Sequence, residues 1–464
     1  MAILSIRHTP LWKDINSIIN NSDNLYFYKW TARIHNANFN LDVIKIINFD
    51  LIRDYQNNIG DHAHIEFVLG RGDFIKYFFP FKENCYITIT QTPRTFTNKS
   101  ITGGTIVKTK YKMVYLEKDN EALNAIERDE RFDVQALNLA GTVLVKCQLL
   151  DLSLEALRIL YTGGTFKNTT YEKILYHTVG SNSMQVKVNG KPSIDAIDIT
   201  PPDNNIVQSM TVIPDGTPII NIPTYLQEKR KGVYNSGIGM YLQRYNQNNT
   251  WFIYPLYNTT IYAKKTNKAI LYIVPPQHFP DAEKTFKIEN NTIKIVCISE
   301  KQYVSDGHSK IMDNGNGFRM SSASAYLLKP VILNKTGPIG ARSRLNYEVS
   351  NKEMANGLNY GPVPDDEISD NPFVQYSTIS RTYTDIITVL WLNSNPDLLY
   401  PGMPAKFIYL SGNILKTVTG VIIHTQTMVQ MMNVGLLNGI YRSSTYVTLI
   451  VNKGNAIDKG PYNE

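Results

Sequence analysis

From 382 to 453 the chain alternates short apolar runs with turn residues, and that pattern restricts it to a β architecture. Runs at 386–392, 405–410, 418–428 and 445–451 are rich in Val, Ile, Thr, Tyr and Phe, side chains that suit a pleated, half-buried surface. Asn395-Pro396-Asp397 and Pro401-Gly402 punctuate the first two runs. Pro presets φ and Gly accepts the positive φ that follows, so Pro401-Gly402 predicts a type II turn. No run presents a catalytic constellation. The segment reads as a small closed barrel whose product is a surface.

A second block of the same character occupies 25–115. Strands are predicted at 26–36, 43–51, 62–69, 86–91 and 104–116, separated by turn chemistry such as Gly70-Arg71-Gly72-Asp73 and Thr92-Pro93. Ala63, Ile65, Phe67 and Leu69 alternate with His62, His64, Glu66 and Val68, so one side of that strand is buried. Between the two blocks the pattern is mixed. A helix is predicted at 152–161 with Asp151 as N-cap and Gly163-Gly164 as its stop. A second follows with Thr169 and Glu172 at capping-box spacing, and a third starts near Asn221 or Thr224. Further strands are predicted at 251–256, 269–274 and 292–298.

The fold class expected is mainly β with α+β insertions: two small β-barrels plus an inserted mixed helical and strand region. The expected domains are a first β-barrel at 1–116, a mixed α+β region at 117–305 free to return strands to the first barrel, a loop-rich connecting arm at 306–374, and a second β-barrel at 375–464. At 464 residues the chain has room for about three cores. Its 29 tyrosines favour β structure and contact surfaces, where a ring buries while its hydroxyl stays wet.

The formal charge is +7, with Lys and Arg spread along the sequence. The densest run, Glu228-Lys229-Arg230-Lys231, reads as a solvated helix end, because phosphate recognition needs several cations on one face. Cys85, Cys147 and Cys297 are isolated, which argues against zinc clusters and disulfide scaffolds and for a reducing compartment. The N-terminus lacks the apolar core of a signal peptide, and no run approaches the roughly 20 apolar residues of a membrane span. The expectation is a soluble protein made in a cytoplasm, without membrane anchoring.

Candidate chemistry is sparse. Asp61, His62 and His64 place two imidazoles on one strand face, a metal-ligand geometry without a nominated third ligand; a plain polar face is the simpler reading. Arg71-Gly72-Asp73 fits a hairpin tip. Asp365, Asp366 and Glu367 stand in a Pro/Gly-flanked loop without calcium-loop spacing, within the long polar stretch 337–372. Asp306, His308 and Ser324 form no recognisable triad, and no Gly-x-Ser-x-Gly, P-loop or GxGxxG occurs. The sequence therefore nominates no catalytic, cofactor-binding or metal residue and no enzyme activity.

The order of elements carries a resemblance. A strand-rich start is followed by a helical segment at 152–178 and an Ile-Pro…Leu…Gly-x-Tyr…Gly element at 222–237. Then come Trp-Phe-Ile-Tyr-Pro-Leu at 251–256, Leu-Tyr-Ile-Val-Pro at 271–275, Gly315-Asn316-Gly317-Phe318-Arg319-Met320 and the terminal barrel. Together these resemble the baseplate central-hub proteins of contractile-tailed bacteriophages. The resemblance implies two barrels of tail-tube-like type per subunit, at about 25–115 and 375–453, and a homotrimeric ring that adapts a six-fold tail tube to a three-fold central spike. It further implies a channel passing DNA transiently and without sequence preference, and partners in the spike, the tail tube or tube-initiator, the baseplate wedges and the tape measure protein. The location implied is the virion tail baseplate, assembled in the bacterial host cytoplasm. A carbohydrate-binding or glycan-active β-rich protein, a tube terminator and a receptor-binding protein are the alternatives left open.

Overall fold

In the computed structural model of the chain, strands dominate because polar and apolar residues alternate with period two along most segments. In His62–Gly70, Ala63, Ile65, Phe67 and Leu69 are buried and their neighbours half-exposed. The structure describes residues 10–20, 27–94, 106–116, 141–303, 318–321, 345–349, 384–431, 441–452 and 457–461, less 189, 231, 235, 246–247, 260, 264, 280–283 and 412–413.

In chain order the strands begin with β1 (Phe27–His35), β2 (Asn40–Asp42), β3 (Lys45–Asp54), β4 (His62–Gly70), β5 (Tyr86–Arg94), β6 (Val107–Tyr115) and β7 (Thr142–Asp151). The middle of the chain supplies β8 (Tyr161–Thr169), β9 (Lys187–Val188), β10 (Lys191–Pro192), β11 (Ala196–Ile199), β12 (Gln208–Pro218), β13 (Ile238–Tyr245) and β14 (Asn248–Pro255). Then follow β15 (Lys268–Val274), β16 (Phe286–Glu289), β17 (Thr292–Tyr303), β18 (Phe318–Ser321) and β19 (Leu345–Val349). The last are β20 (Thr384–Leu392), β21 (Pro404–Ser411), β22 (Ile414–Met431), β23 (Tyr441–Asn452) and β24 (Ile457–Pro461).

Two units share one continuous sheet. In the second, the pairing β22-β21-β15-β17-β20-β23 returns to β22 and closes a six-strand barrel. In the first, β1-β5-β6-β7-β4-β3 curls around its own core. Ranked by position in the chain, both sets of six strands have the same spatial order: second, third, sixth, fifth, fourth, first. The neighbour directions also agree, except that β15 runs parallel to β21 and β17 while β1 is antiparallel to β5. Among the described residues no ladder joins β1 to β3, so the first unit stays open where the second is shut.

Strand β22 belongs to both units. Its edge pairs with β21 from Ile414 to Val421 and then with β3 from His424 to Gln430. The register against β23 shifts between Ile422 and His424, a β-bulge at the change of partner. There the Tyr55 amide donates to the Ile423 carbonyl at 3.0 Å. The expected mixed region gives β7 to the first unit and β15 and β17 to the second barrel. Both faces of β15 are covered: Ala269 and Leu271 face the barrel core, while Tyr272 and Val274 face the N-terminal helix Pro10–Ile19. Such two-sided burial is typical of a parallel strand.

That helix, which the sequence reading did not predict, lays Leu11, Trp12, Ile15 and Ile18 against Tyr272, Val274 and Val296 on the outside of the second barrel. An inserted module at 152–267 carries the sheet β11-β14-β13, the ribbon β8-β12 and short helices. The apolar run Trp251-Phe252-Ile253-Tyr254 is explained by burial on both faces: Trp251 and Ile253 enter the module core, Phe252 and Tyr254 the barrel core.

Several local expectations are corrected. The helix after Asp151 stops at Arg158 rather than 161, and Gly163-Gly164 lies in β8, where Gly164 has φ +144°. The next helix is capped at Thr170 rather than Thr169, without a side-chain bond, so Glu172 is one residue too near the cap for the capping-box spacing; Asn168, just before it, has φ +49°. Arg71-Gly72-Asp73 is no hairpin tip; it opens a helical connection running to Asn84. Asp151 does cap its helix, accepting from the amides of Ser153 and Leu154 at 2.8 and 3.0 Å.

Candidate functional site

The most elaborate polar arrangement lies where the first unit, the second barrel and the inserted module meet. Along β3, Phe49, Leu51 and Arg53 share the inward face. An arginine at that parity must find partners, since an unpaired buried charge is prohibitively costly. Arg53 is 3% exposed and finds three. Its Nε and Nη2 donate to Asp61 Oδ1 and Oδ2 at 3.1 and 3.2 Å, a bidentate pairing within the first unit. Nη2 also donates to Asp397 Oδ1 at 3.1 Å and Nη1 to the Pro396 carbonyl at 3.2 Å, both in the 3-10 turn after β20. Burial opposes the charge on Arg53, but Asp61 and then Asp397 outweigh it and hold the guanidinium well above its ordinary range.

The module joins through aromatic and amide groups. Tyr241 Oη donates to Asp61 Oδ1 at 3.1 Å, and its ring meets Tyr55 edge-on at 4.8 Å. Tyr55 Oη donates to Gln243 Oε1 at 3.0 Å, and Gln243 Nε2 donates to the Leu399 carbonyl at 2.6 Å. Burial pushes the Tyr55 and Tyr241 phenols up, so both remain neutral donors. Tyr254 Oη donates to the Tyr55 carbonyl at 2.8 Å. Its ring leaves no room beside Gly402: a Cβ there would sit 2.4 Å from Tyr254 Cδ2, and Gly402 has φ +68°. Glycine is thus required twice over in the predicted Pro401-Gly402 turn.

A cavity of about 550 Å³ opens beside this junction, lined by Trp30, Leu51, Arg53, Asp61, Tyr111 and Asp151 among others. Burial raises the Asp151 carboxyl above its usual range despite the amides of Leu154 and Ser153. The lining holds a paired guanidinium and carboxylates already engaged with backbone or Arg53, an arrangement suited to fastening elements together.

Of the residues weighed from sequence, Asp61 enters the Arg53 pairing, whereas His62 and His64 stand on the outward face of β4 opposite Ile52 and Asp50. Among the described residues no group of three or more His, Cys, Asp or Glu could hold a metal ion. Asp306, His308, Ser324, Asp365, Asp366 and Glu367 lie outside the described residues. Arg53, Asp397, Tyr241 and Gln243 escaped the sequence reading. The parity of Arg53 with Phe49 and Leu51 was the available signal; its partners in space had none.

No protein-family model matches the sequence. No curated protein matches it either. Among solved structures the chain is similar to the tail protein from Neisseria meningitidis MC58, at 11% identity and a TM-score of 0.44 over 92% of this chain and 98% of that one. It is similar to the 43 kDa tail protein of prophage MuSo2 from Shewanella oneidensis, at 10% identity and a TM-score of 0.45 over 91% and 96%. It is also similar to the E. coli c3393 protein, a type VI secretion component described as similar to the T4 bacteriophage tail proteins gp27 and gp5, at 8% identity and a TM-score of 0.37 over 90% and 76%.

Proposed function

We infer that the chain is a structural hub of a phage-tail baseplate, acting through shape and without catalysis. Three copies form a ring, each contributing two barrel-like units, so that six similar units face a six-fold tail tube while the three-fold symmetry of the whole meets a central spike. The ring lines a channel through which DNA passes. Its partners are the spike, the tube or tube-initiator, the wedges and the tape measure protein, its place is the virion tail, and assembly occurs in the host cytoplasm. Within the chain, the domain division expected from sequence becomes two barrel units with an inserted module between them.

One observation carries this reading: the two units share one strand order while differing in closure and in what covers them. A trimer of such a chain is pseudo-six-fold without being six-fold, which is what a symmetry adaptor requires. The closed second barrel also removes open sheet edges. The tail proteins named above agree with the reading but do not bear its weight.

The test is native mass spectrometry and electron microscopy of the purified chain, alone and with its genomic neighbours. The expected result is a trimeric ring with a central opening and six-fold pseudo-symmetry on one rim. A monomer that stays monomeric with spike and tube proteins present would sink the proposal.

A further inference from the structure

The charge that looks dispersed along the sequence is gathered by sheet register. Strands β1, β5 and β6 lie side by side, and none contains an Asp or Glu. Their inward residues, among them Ile34, Ile87, Ile89 and Met113, belong to the first core. Their outward residues form rows across the sheet: Thr31, Thr90 and Lys108 in one; Arg33, Thr88 and Lys110 in the next; His35, Tyr86 and Lys112 in a third. Lys29 stands beside Thr92. Two of these cations are engaged by acids from outside the three strands, Arg33 by Asp42 and Lys112 by Glu155. Lys110 lies over the Tyr86 ring at 4.7 Å. The topologically equivalent face of the second barrel is different: Lys406 sits over Tyr262, and Ile408 and Leu410 pack toward the N-terminal helix.

We propose that this outward face of β1, β5 and β6 binds the sugar-phosphate backbone of nucleic acid, and that it is the part of the chain turned toward DNA. The inference rests on the conduit reading above for its choice of polyanion. Charge complementarity supports it, because acids are absent from all three strands while five cations share their outer face. Spacing supports it too. Alternate residues on a strand are about 6.8 Å apart, close to the axial rise of roughly two nucleotides on one DNA strand. Lys108 and Lys110 can therefore meet every second phosphate of one strand, with Lys29 as a third cation across the sheet and Thr88 and Thr90 as hydroxyl donors between them. Backbone contact of this kind is independent of sequence, as passage of a genome demands.

The full chain is titrated with a fluorescent duplex DNA across a salt series, beside Lys108→Glu/Lys110→Glu and, as a control of equal charge change, Lys167→Glu/Lys173→Glu on the inserted module. Binding should weaken linearly in log salt with a slope of about −3, at about −0.9 per phosphate contact. The β6 variant should lose at least about tenfold in affinity and reduce the slope by about 2, while the control binds as wild type. Equal loss in both variants, no salt-dependent binding by wild type, or complete displacement by polyglutamate of matched charge at equal concentration would overturn the proposal, the last assigning the face to an acidic protein. Electron microscopy of the same samples separates the two readings. Rings that ignore DNA remove this inference and leave the hub; DNA binding by a chain that never forms rings removes the hub and leaves this face.

Discussion

Replacing Arg53 with Met removes the charge that fastens the first unit to the second barrel while keeping most of the side chain's apolar bulk. Two carboxylates lose their partner, and they are not equivalent. Asp61 is 15% exposed and held bidentately, whereas Asp397 is 41% exposed. Breaking a buried pair by removing one member costs roughly 3–5 kcal/mol, while a half-exposed pair contributes under about 1 kcal/mol because water screens it. Relief at Asp61 through Tyr241 and solvent keeps the total near the lower end, about 3 kcal/mol for Arg53→Met. Asp397→Asn should cost below about 1 kcal/mol. The assay is urea unfolding followed by tryptophan fluorescence, with Trp30 reporting the first unit and Trp391 the second. Chains with more than one unit need not unfold in one step, so each reporter is read alone, in a background where the other three tryptophans are replaced by Phe. In the Arg53→Met protein the two transitions should separate. A folded Arg53→Met protein whose stability lies within about 0.5 kcal/mol of wild type, with coincident transitions, would refute the claim that this pairing joins the units.

Gly402→Ala should destabilise by about 2 kcal/mol, since it adds a Cβ against Tyr254 at a positive φ; thermal unfolding indistinguishable from wild type would contradict that geometry. Ile15→Ala should cost about 3 kcal/mol and raise protease access to the N-terminal helix, because Ile15 is fully buried against the second barrel; unchanged stability would detach that helix from the fold. The three cysteines are buried, and burial pushes the Cys85 thiol up to about 11. At pH 8 its thiolate fraction is then about one in a thousand, and only the thiolate reacts, so a thiol reagent should label none of the three until the chain unfolds. A raised acid pKa favours the folded state below the unfolded value of about 8.5, so this contribution should fade as pH climbs from about 8.5 toward 11; rapid labelling of native protein at pH 8 would show the site is open.

The strands were legible because each carries its own evidence. Period-two burial in β4 and β-branched runs in β20 to β23 are local properties, and the turn at Pro401-Gly402 needs only its two residues. What eluded the sequence is set by distance in the chain. Nothing local in Ala269–Val274 says that it sits between β17 and β21, more than a hundred residues from the latter's hairpin partner. The Gly163-Gly164 pair reads as a helix stop, yet it serves close approach of β8 to Asp215, whose Cα would lie 2.6 Å from a Cβ at Gly163. The basic face is the sharpest case: Lys108 and Lys110 share a side of β6 by simple alternation, but Lys29 and Arg33 join them only through the β1-β5-β6 register. At the junction, Arg53 announced that it needed an anion, but Asp397 is 344 residues away and carries no mark of its role.

Because β22 is a stave of both units, it has a mechanical consequence. One backbone runs from the β21 ladder to the β3 ladder with only the bulge near Ile423 between them. A torque on one unit therefore passes to the other through covalent bonds and paired amides, with no slip plane between them. The two units cannot swivel independently unless a ladder breaks, so the chain acts as a single lever. Any change of diameter or tilt in an assembly built from it must be absorbed at the seams between copies.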